Sequence, residues 1–149
     1  LARLFAKPFN LLVMDEPTSG LDPVFRRELL HMLSEIIQDE KRSVLFSTHI
    51  TSDLEKIADY ITFINDGKII FSASKDELLD NWAIVKGDKK LTADEYKQYF
   101  LNTFENPYGM SAITNNREAV KNLLSSDCII EKASLEDIMV YLNHKSIKE

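Results

Sequence analysis

Two acidic residues stand side by side in this 149-residue sequence, directly after an apolar run. Residues 11–14 (Leu-Leu-Val-Met) are apolar without alternation, which is typical of a parallel strand buried on both faces. Asp15 and Glu16 therefore follow at the carboxyl end of the strand, where open α/β sheets bind their ligands. Because unpaired buried charge is costly, the adjacent carboxylates indicate a bound cation or a reaction that needs them.

A histidine follows the next apolar segment. Residues 43–47 predict a second buried parallel strand, which carries Thr48 and His49 at its carboxyl end. A lone histidine at a strand end is more often an ordinary residue than a functional one. Its place after the strand that follows Asp15 and Glu16 favours the functional interpretation.

The two acids open a longer string, because residues 15–23 read DEPTSGLDP. An apolar strand followed by this string resembles the Walker B motif and D-loop of the ABC-transporter ATPases, and it is far more specific than a lone glycine motif. The alternative interpretation is an acidic, solvated turn between a strand and a helix. The resemblance covers residues 1–82 and implies a subunit that hydrolyses ATP to power substrate translocation, with export as the expected direction.

The resemblance also implies roles for three side chains. Asp15 would help to hold Mg²⁺, directly or through its water ligands. Glu16 would orient and deprotonate the water that attacks the γ-phosphate, which is a task for a carboxylate within hydrogen-bond reach. His49 matches the H-loop histidine, which contacts the γ-phosphate in this family. The implied cofactors are ATP and Mg²⁺.

Ser19, Gly20 and Asp22 match the D-loop, which in the family faces the opposite ATPase subunit and takes part in the nucleotide site. Asp22 is also a plausible N-cap, because Pro23 suits the first turn of a helix. Capping and D-loop roles do not exclude each other. The implied partners are a second ATPase subunit and transmembrane permease subunits.

Other motifs of the family are missing from these 149 residues. Neither the Walker A loop nor the LSGGQ signature is present, and the single Gly-Lys pair, Gly67-Lys68, is followed by Ile69. Asp66-Gly67 is better explained as a type I′ hairpin turn. We therefore expect the full-length protein to be an ATPase, and this chain alone to be inactive.

The missing Walker A strand has a structural consequence. In the family's sheet that strand lies between the H-loop strand and the strand at residues 60–64. Strands with open edges are an aggregation hazard. We therefore expect residues 44–47 to pair directly with residues 60–64, or another chain to cover them.

The predicted fold class is α/β: a partial P-loop NTPase core (RecA-like, ABC-type) with a parallel sheet, followed by a small α+β C-terminal accessory domain. The predicted domains are residues 1–82, the C-terminal part of a nucleotide-binding domain, and residues 83–149, an accessory or regulatory domain. Capping signals and apolar spacing predict helices that begin near Pro23, Ser52, Ser74, Thr92, Arg117 and Ser134. The predicted helix after Thr92 carries Tyr96, Tyr99, Phe100 and Phe104.

Composition argues against several classes of partner. The formal net charge is −6, and no basic stripe of the kind that nucleic-acid binders need is present. No apolar stretch approaches the ~20 residues needed to cross a bilayer. The single cysteine, Cys128, excludes an internal disulfide and fits a reducing cytosol. The expected location, implied by the resemblance, is the cytoplasmic face of the cell membrane.

Two other functions stay open at the level of the sequence. One is a soluble ABC ATPase that acts on ribosomes or in DNA repair rather than in transport. The other is a non-enzymatic module, in which residues 83–149 dimerise or regulate and no chemistry takes place.

Overall fold

The computed structural model describes residues 9–124 and 128–143. It divides the chain into two compact units, Leu1–Ala58 and Asp59–Glu149, each of which mixes helices and strands as predicted. No helix among the described residues is long and apolar enough to span a bilayer. The chain divides after Ala58, and the predicted domain boundary at residue 82 stays a prediction.

The first unit alternates strands and helices. Its elements are β1 (Leu11–Asp15), α1 (Pro23–Ile36), β2 (Ser43–Ser47) and α2 (Thr51–Ile57). The two strands pair in parallel, with Leu12 opposite Val44. Leu29 and Leu33 of α1 pack against Leu12 and form the core of this unit. The two predicted strands and the helix that begins at Pro23 are therefore confirmed.

The prediction that these strands are buried on both faces is wrong for the described residues. Leu11, Val13 and Leu45 have relative exposures of 56%, 64% and 60%. The reason is that α1 packs against one face of the β1–β2 pair, so alternate side chains point away from it. We call these three residues the open face of the first unit.

The second unit begins with an antiparallel hairpin. It consists of β3 (Tyr60–Asn65) and β4 (Lys68–Ser74), followed by α3 (Lys75–Asn81). Asp66 and Gly67 have φ values of 48° and 73°, and two positive φ angles are typical of the predicted type I′ turn.

The direct pairing that we expected between residues 44–47 and 60–64 is wrong. In the described sheets, β2 has β1 as its partner and β3 has β4. The two-residue turn at Asp66-Gly67 favours the pairing of β3 with β4, because a turn of this type joins adjacent antiparallel strands.

The rest of the second unit is a four-stranded antiparallel sheet with the order β6-β7-β5-β8. This order, with a helical segment between β5 and β6 and another between β7 and β8, is the split βαβ topology of ferredoxin-like folds. The strands are β5 (Ala83–Gly87), β6 (Asn102–Asn106), β7 (Gly109–Thr114) and β8 (Cys128–Lys132). The helices are α4 (Asp94–Lys97), α5 (Arg117–Leu124) and α6 (Leu135–Asn143), with a 3₁₀ turn at Lys89–Thr92.

The predicted helix that begins at Thr92 and includes Phe104 is wrong. The chain instead forms the 3₁₀ turn, the short α4 and the strand β6. Phe104 lies opposite Ser111 of β7, and its ring meets the edge of Tyr141 with centroids 4.8 Å apart. Pairing with β7 thus overrides the local helical signal, which is common where tertiary contacts decide. Tyr96, Tyr99 and Phe100 do pack against the core.

Candidate active site

The parallel pairing of β1 and β2 brings their carboxyl ends together. Asp15 lies directly opposite Ser47 in the register, so the residues that follow both strands meet at one edge. Glu16 follows Asp15 directly, and His49 lies two residues after the end of β2, so both are at this edge. The structure therefore places the three residues that were predicted to carry chemistry in one site.

Ser47 connects the ends of the two strands. Its hydroxyl donates a hydrogen bond to the Asp15 carboxylate Oδ1. The Glu16 amide donates to the Ser47 carbonyl at 3.1 Å and lies 3.1 Å from the Ser47 hydroxyl oxygen as well. Ser47 was not among the predicted site residues. Its position as the last residue of β2, level with Asp15, is the signal that could have identified it.

Glu16 has an unusual backbone conformation, with a φ of 43°. A positive φ in a residue other than glycine is sparsely populated, and it persists where neighbouring contacts hold it. The two contacts to Ser47 supply part of that restraint. The chain turns after the strand at this residue, and the Glu16 side chain contacts His49, which lies two residues after β2.

The Glu16 carboxylate oxygen Oε1 lies 2.9 Å from the His49 ring nitrogen Nδ1. The side chains are 35% and 71% exposed. An ionised carboxylate only accepts hydrogen bonds, so the contact requires the proton to be on Nδ1. This leaves the other ring nitrogen, Nε2, available to a further partner.

The second carboxylate oxygen of Glu16 is differently placed. Oε2 is buried, and it has no hydrogen-bond partner within the described part of the chain. Buried acceptors are rarely left without a donor, and an exception of this kind is more typical of strained or catalytic positions than of ordinary surface turns.

The oxygen donors of this edge suit a hard cation. Mg²⁺ is commonly bound through one or two carboxylates together with substrate phosphates and water. Asp15 offers such a carboxylate. Among the described residues, no cluster of three or more acidic, histidine or cysteine side chains could enclose a metal on its own. An ion bound here would need further ligands from outside the described residues.

The loop between β1 and α1 contains the predicted D-loop residues. Gly20 has a φ of 72°, which favours glycine at this turn. The Asp22 carboxylate accepts from the amides of Val24 at 2.9 Å and Phe25 at 3.2 Å, so the predicted N-cap is confirmed. The Ser19 amide donates to the Glu16 carbonyl at 3.1 Å. None of these contacts joins Ser19, Gly20 or Asp22 to His49.

A buried polar network in the same unit was not predicted. Asp53 of α2 and Thr18 are 0% and 1% exposed, and the Thr18 hydroxyl donates to Asp53 Oδ2 at 2.6 Å. Arg26 of α1 forms an ion pair with Asp53 Oδ1 at 2.6 Å and donates to the Ser52 hydroxyl at 2.7 Å. We call these four residues the Asp53 network.

The network also corrects the predicted start of α2. A capping box of Ser52 with Glu55 was expected, but the helix begins at Thr51 and its N-cap, Ile50, makes no side-chain capping bond. Ser52 instead accepts the hydrogen bond from Arg26. A partner 26 residues earlier in the chain leaves no local sequence signal.

Three known proteins are similar to part of this chain. The thiamine import ATP-binding protein ThiQ of Vibrio cholerae is 39% identical over 69 residues, which is 46% of this chain and 29% of ThiQ. The lantibiotic transport ATP-binding protein SrtF of Streptococcus pyogenes is 44% identical over 67 residues, or 45% of this chain and 29% of SrtF. Part of this chain is thus similar to ATP-binding proteins of ABC transporters.

A third relative agrees with this assignment. The energy-coupling factor transporter ATP-binding protein EcfA2 of Ligilactobacillus salivarius is 32% identical over 81 residues, 54% of this chain and 28% of EcfA2. No protein-family model matches the chain. The matched regions span about three tenths of the length of these ABC relatives. The resemblance inferred from residues 15–23 is confirmed at the level of the family.

Proposed function

We propose that the first unit carries part of the ATP-hydrolysing site of an ABC transporter subunit, with the Walker B motif at β1, the D-loop before α1 and the H-loop after β2. The observation that supports this most strongly is the 2.9 Å contact between Glu16 Oε1 and His49 Nδ1 at adjacent ends of parallel strands. An acidic turn without function would have no need to hold a glutamate at a φ of 43° against a histidine.

In this proposal Glu16 is the general base. It accepts a proton from the water that attacks the γ-phosphorus in line with the leaving oxygen. His49 keeps its Nδ1 proton on Glu16 and presents Nε2 to the phosphate. Asp15, positioned by Ser47, would hold Mg²⁺, which neutralises phosphate charge when it is bound.

The remaining parts of the proposal concern the whole protein. These 149 residues contain no glycine-rich phosphate loop, so we propose that they hydrolyse no ATP alone and that the longer protein does. Ser19, Gly20 and Asp22 would face a second ATPase subunit. Permease subunits in the membrane would use the energy of ATP hydrolysis for transport, with the ATPase subunit at the cytoplasmic face. Export remains the direction that we predict.

The test is ATP hydrolysis by the longer protein that contains this sequence, with the isolated 149-residue chain assayed beside it. Glu16→Gln should lower kcat by about 100-fold or more, the usual contribution of a general base. Glu35→Gln is the matched control, because Glu35 lies near His31 on α1 at 3.6 Å in an exposed pair. Unchanged turnover in Glu16→Gln, or an equal loss in the control, would contradict the assignment of Glu16.

A further inference from the structure

We infer that Asp53 and its network are positioning elements for the Glu16–His49 pair. The inference deepens the proposed function and rests on it. Within the described part of the chain, no side-chain hydrogen bond joins the four network residues to Glu16 or His49, so they would act through the segments that they join. The claim concerns the geometry of the pair, not the reacting atoms.

The network links the two segments that carry the pair. Thr18 lies two residues after Glu16, and Asp53 lies four residues after His49. The hydrogen bond of 2.6 Å between Thr18 and Asp53 therefore ties the loop after β1 to the first turn of α2.

Arg26 of α1 also binds the Asp53 carboxylate. Its Nε donates to Asp53 Oδ1 at 2.8 Å, and its Nη2 lies 2.6 Å from the same oxygen. Because Arg26 belongs to α1, the carboxylate joins the loop, α1 and α2. Charge-assisted bonds with a guanidinium have a defined geometry, so they restrain orientation as well as distance.

Burial makes this arrangement rigid. Asp53 is fully buried, and a buried carboxylate must keep its donors because an unpaired charge is costly. Two further backbone hydrogen bonds of the loop are local, because the amides of Ser19 and Leu21 donate to the carbonyls of Glu16 and Thr18. A sparsely populated conformation such as that of Glu16 persists only where the surroundings determine it. The Thr18–Asp53 bond lies two residues after Glu16 and ties the loop to a different element, α2.

The proton on His49 provides a direct readout of this geometry. The bond to Glu16 requires the Nδ1–H form, whereas a free neutral imidazole is not held in that form. His31 is an internal reference because its side chain is 73% exposed against 71% for His49, and its Nδ1 lies 3.6 Å from Glu35, beyond hydrogen-bond distance. The two histidines therefore differ in hydrogen bonding, not in exposure.

The experiment is imidazole ¹⁵N NMR on the 149-residue chain at about pH 9, where unperturbed histidine is neutral. In the wild type, the nitrogen shifts of His49 should report mainly Nδ1–H and differ from those of His31. Thr18→Val keeps the shape of the side chain but removes the hydroxyl, and it should move the His49 shifts most of the way to those of His31. Thr18→Ser keeps the hydroxyl and should restore the wild-type pattern.

The inference is overturned if folded Thr18→Val keeps the wild-type His49 pattern while its melting temperature falls, since that is the behaviour of a purely stabilising network. If Thr18→Val does not fold, Arg26→Lys is the second variant: it keeps the charge, loses the Nε donor and should show the same movement of the His49 shifts. No nucleotide is present in this measurement. Loss of the proposed ATPase function would therefore appear in the turnover assay of Glu16→Gln and not in these spectra.

Discussion

Asp53 shows how a single buried charge shapes the first unit. Its carboxylate is inaccessible to solvent, and its charge is balanced by Arg26 at 2.6 Å. A buried ion pair contributes little compared with a well-packed apolar pair, but the removal of one partner leaves an uncompensated charge in the interior. The cost of losing Arg26 is therefore much greater than the loss of a surface ion pair.

Arg26→Met should destabilise the chain by about 3 kcal/mol, because it leaves the buried Asp53 carboxylate without its cationic partner. Chemical denaturation monitored by circular dichroism measures the free energy of unfolding. Arg27→Met is the matched control: Arg27 is the next residue of α1 and is exposed, so its change should stay within about 0.5 kcal/mol. Equal effects of the two variants would show that Asp53 does not depend on Arg26.

At the scale of elements, an exposed cross-strand pair links β5 with β8. Lys86 Nζ lies 2.6 Å from Glu131 Oε2, and this hydrogen bond, together with the carboxylate charge, raises the pKa of Lys86 above its ordinary value. The native state therefore binds the Lys86 proton more tightly than the unfolded chain does. The resulting stability is complete below the ordinary lysine pKa and is lost as the pH rises through the raised value.

We therefore expect the melting temperature to fall as the pH rises through the lysine range, from about 10 upwards, and Lys86→Met to make that fall shallower. Differential scanning calorimetry over this range measures the effect. Lys121→Met, at an exposed lysine of α5, is the control and should leave the slope as it is in the wild type. A steeper slope in Lys86→Met than in the wild type would contradict the prediction.

At the scale of the whole molecule, the open face of the first unit is the notable feature. Leu11, Val13 and Leu45 are all more than half exposed, and they lie on neighbouring strands. A two-stranded sheet with an uncovered apolar face is a site of association. The relatives are more than three times as long as the regions matched here.

The isolated chain should accordingly self-associate as its concentration rises. Val13→Lys places a charge on the open face and should shift the average mass towards that of the 17.1 kDa monomer. Static light scattering across a dilution series measures the mass. Val140→Lys is the control, because it adds the same charge at a valine of α6 that is 47% exposed. A monomeric wild type, or an equal effect of both variants, would show that the open face does not drive association.

Much of the local structure could be predicted because its causes are local. The apolar run before Asp15, the Asp22 cap, the Asp66-Gly67 turn and the helix at Arg117–Leu124 depend on residues within a few positions of one another. The helix predicted after Thr92 failed because β6 depends on its partner strand β7 rather than on its own sequence. Strand formation responds to packing and pairing across the sheet, and those are distant in the chain.

The sequence by itself predicted the resemblance to ABC-transporter ATP-binding proteins, the two parallel strands, and the positions of Asp15, Glu16 and His49 after them. Only the tertiary structure decided how those residues meet. The contacts Ser47–Asp15, His49–Glu16 and Thr18–Asp53 join positions 32, 33 and 35 residues apart. Their existence depends on the register of β1 against β2 and on the docking of α2, so no short segment of the chain contains the information that specifies them.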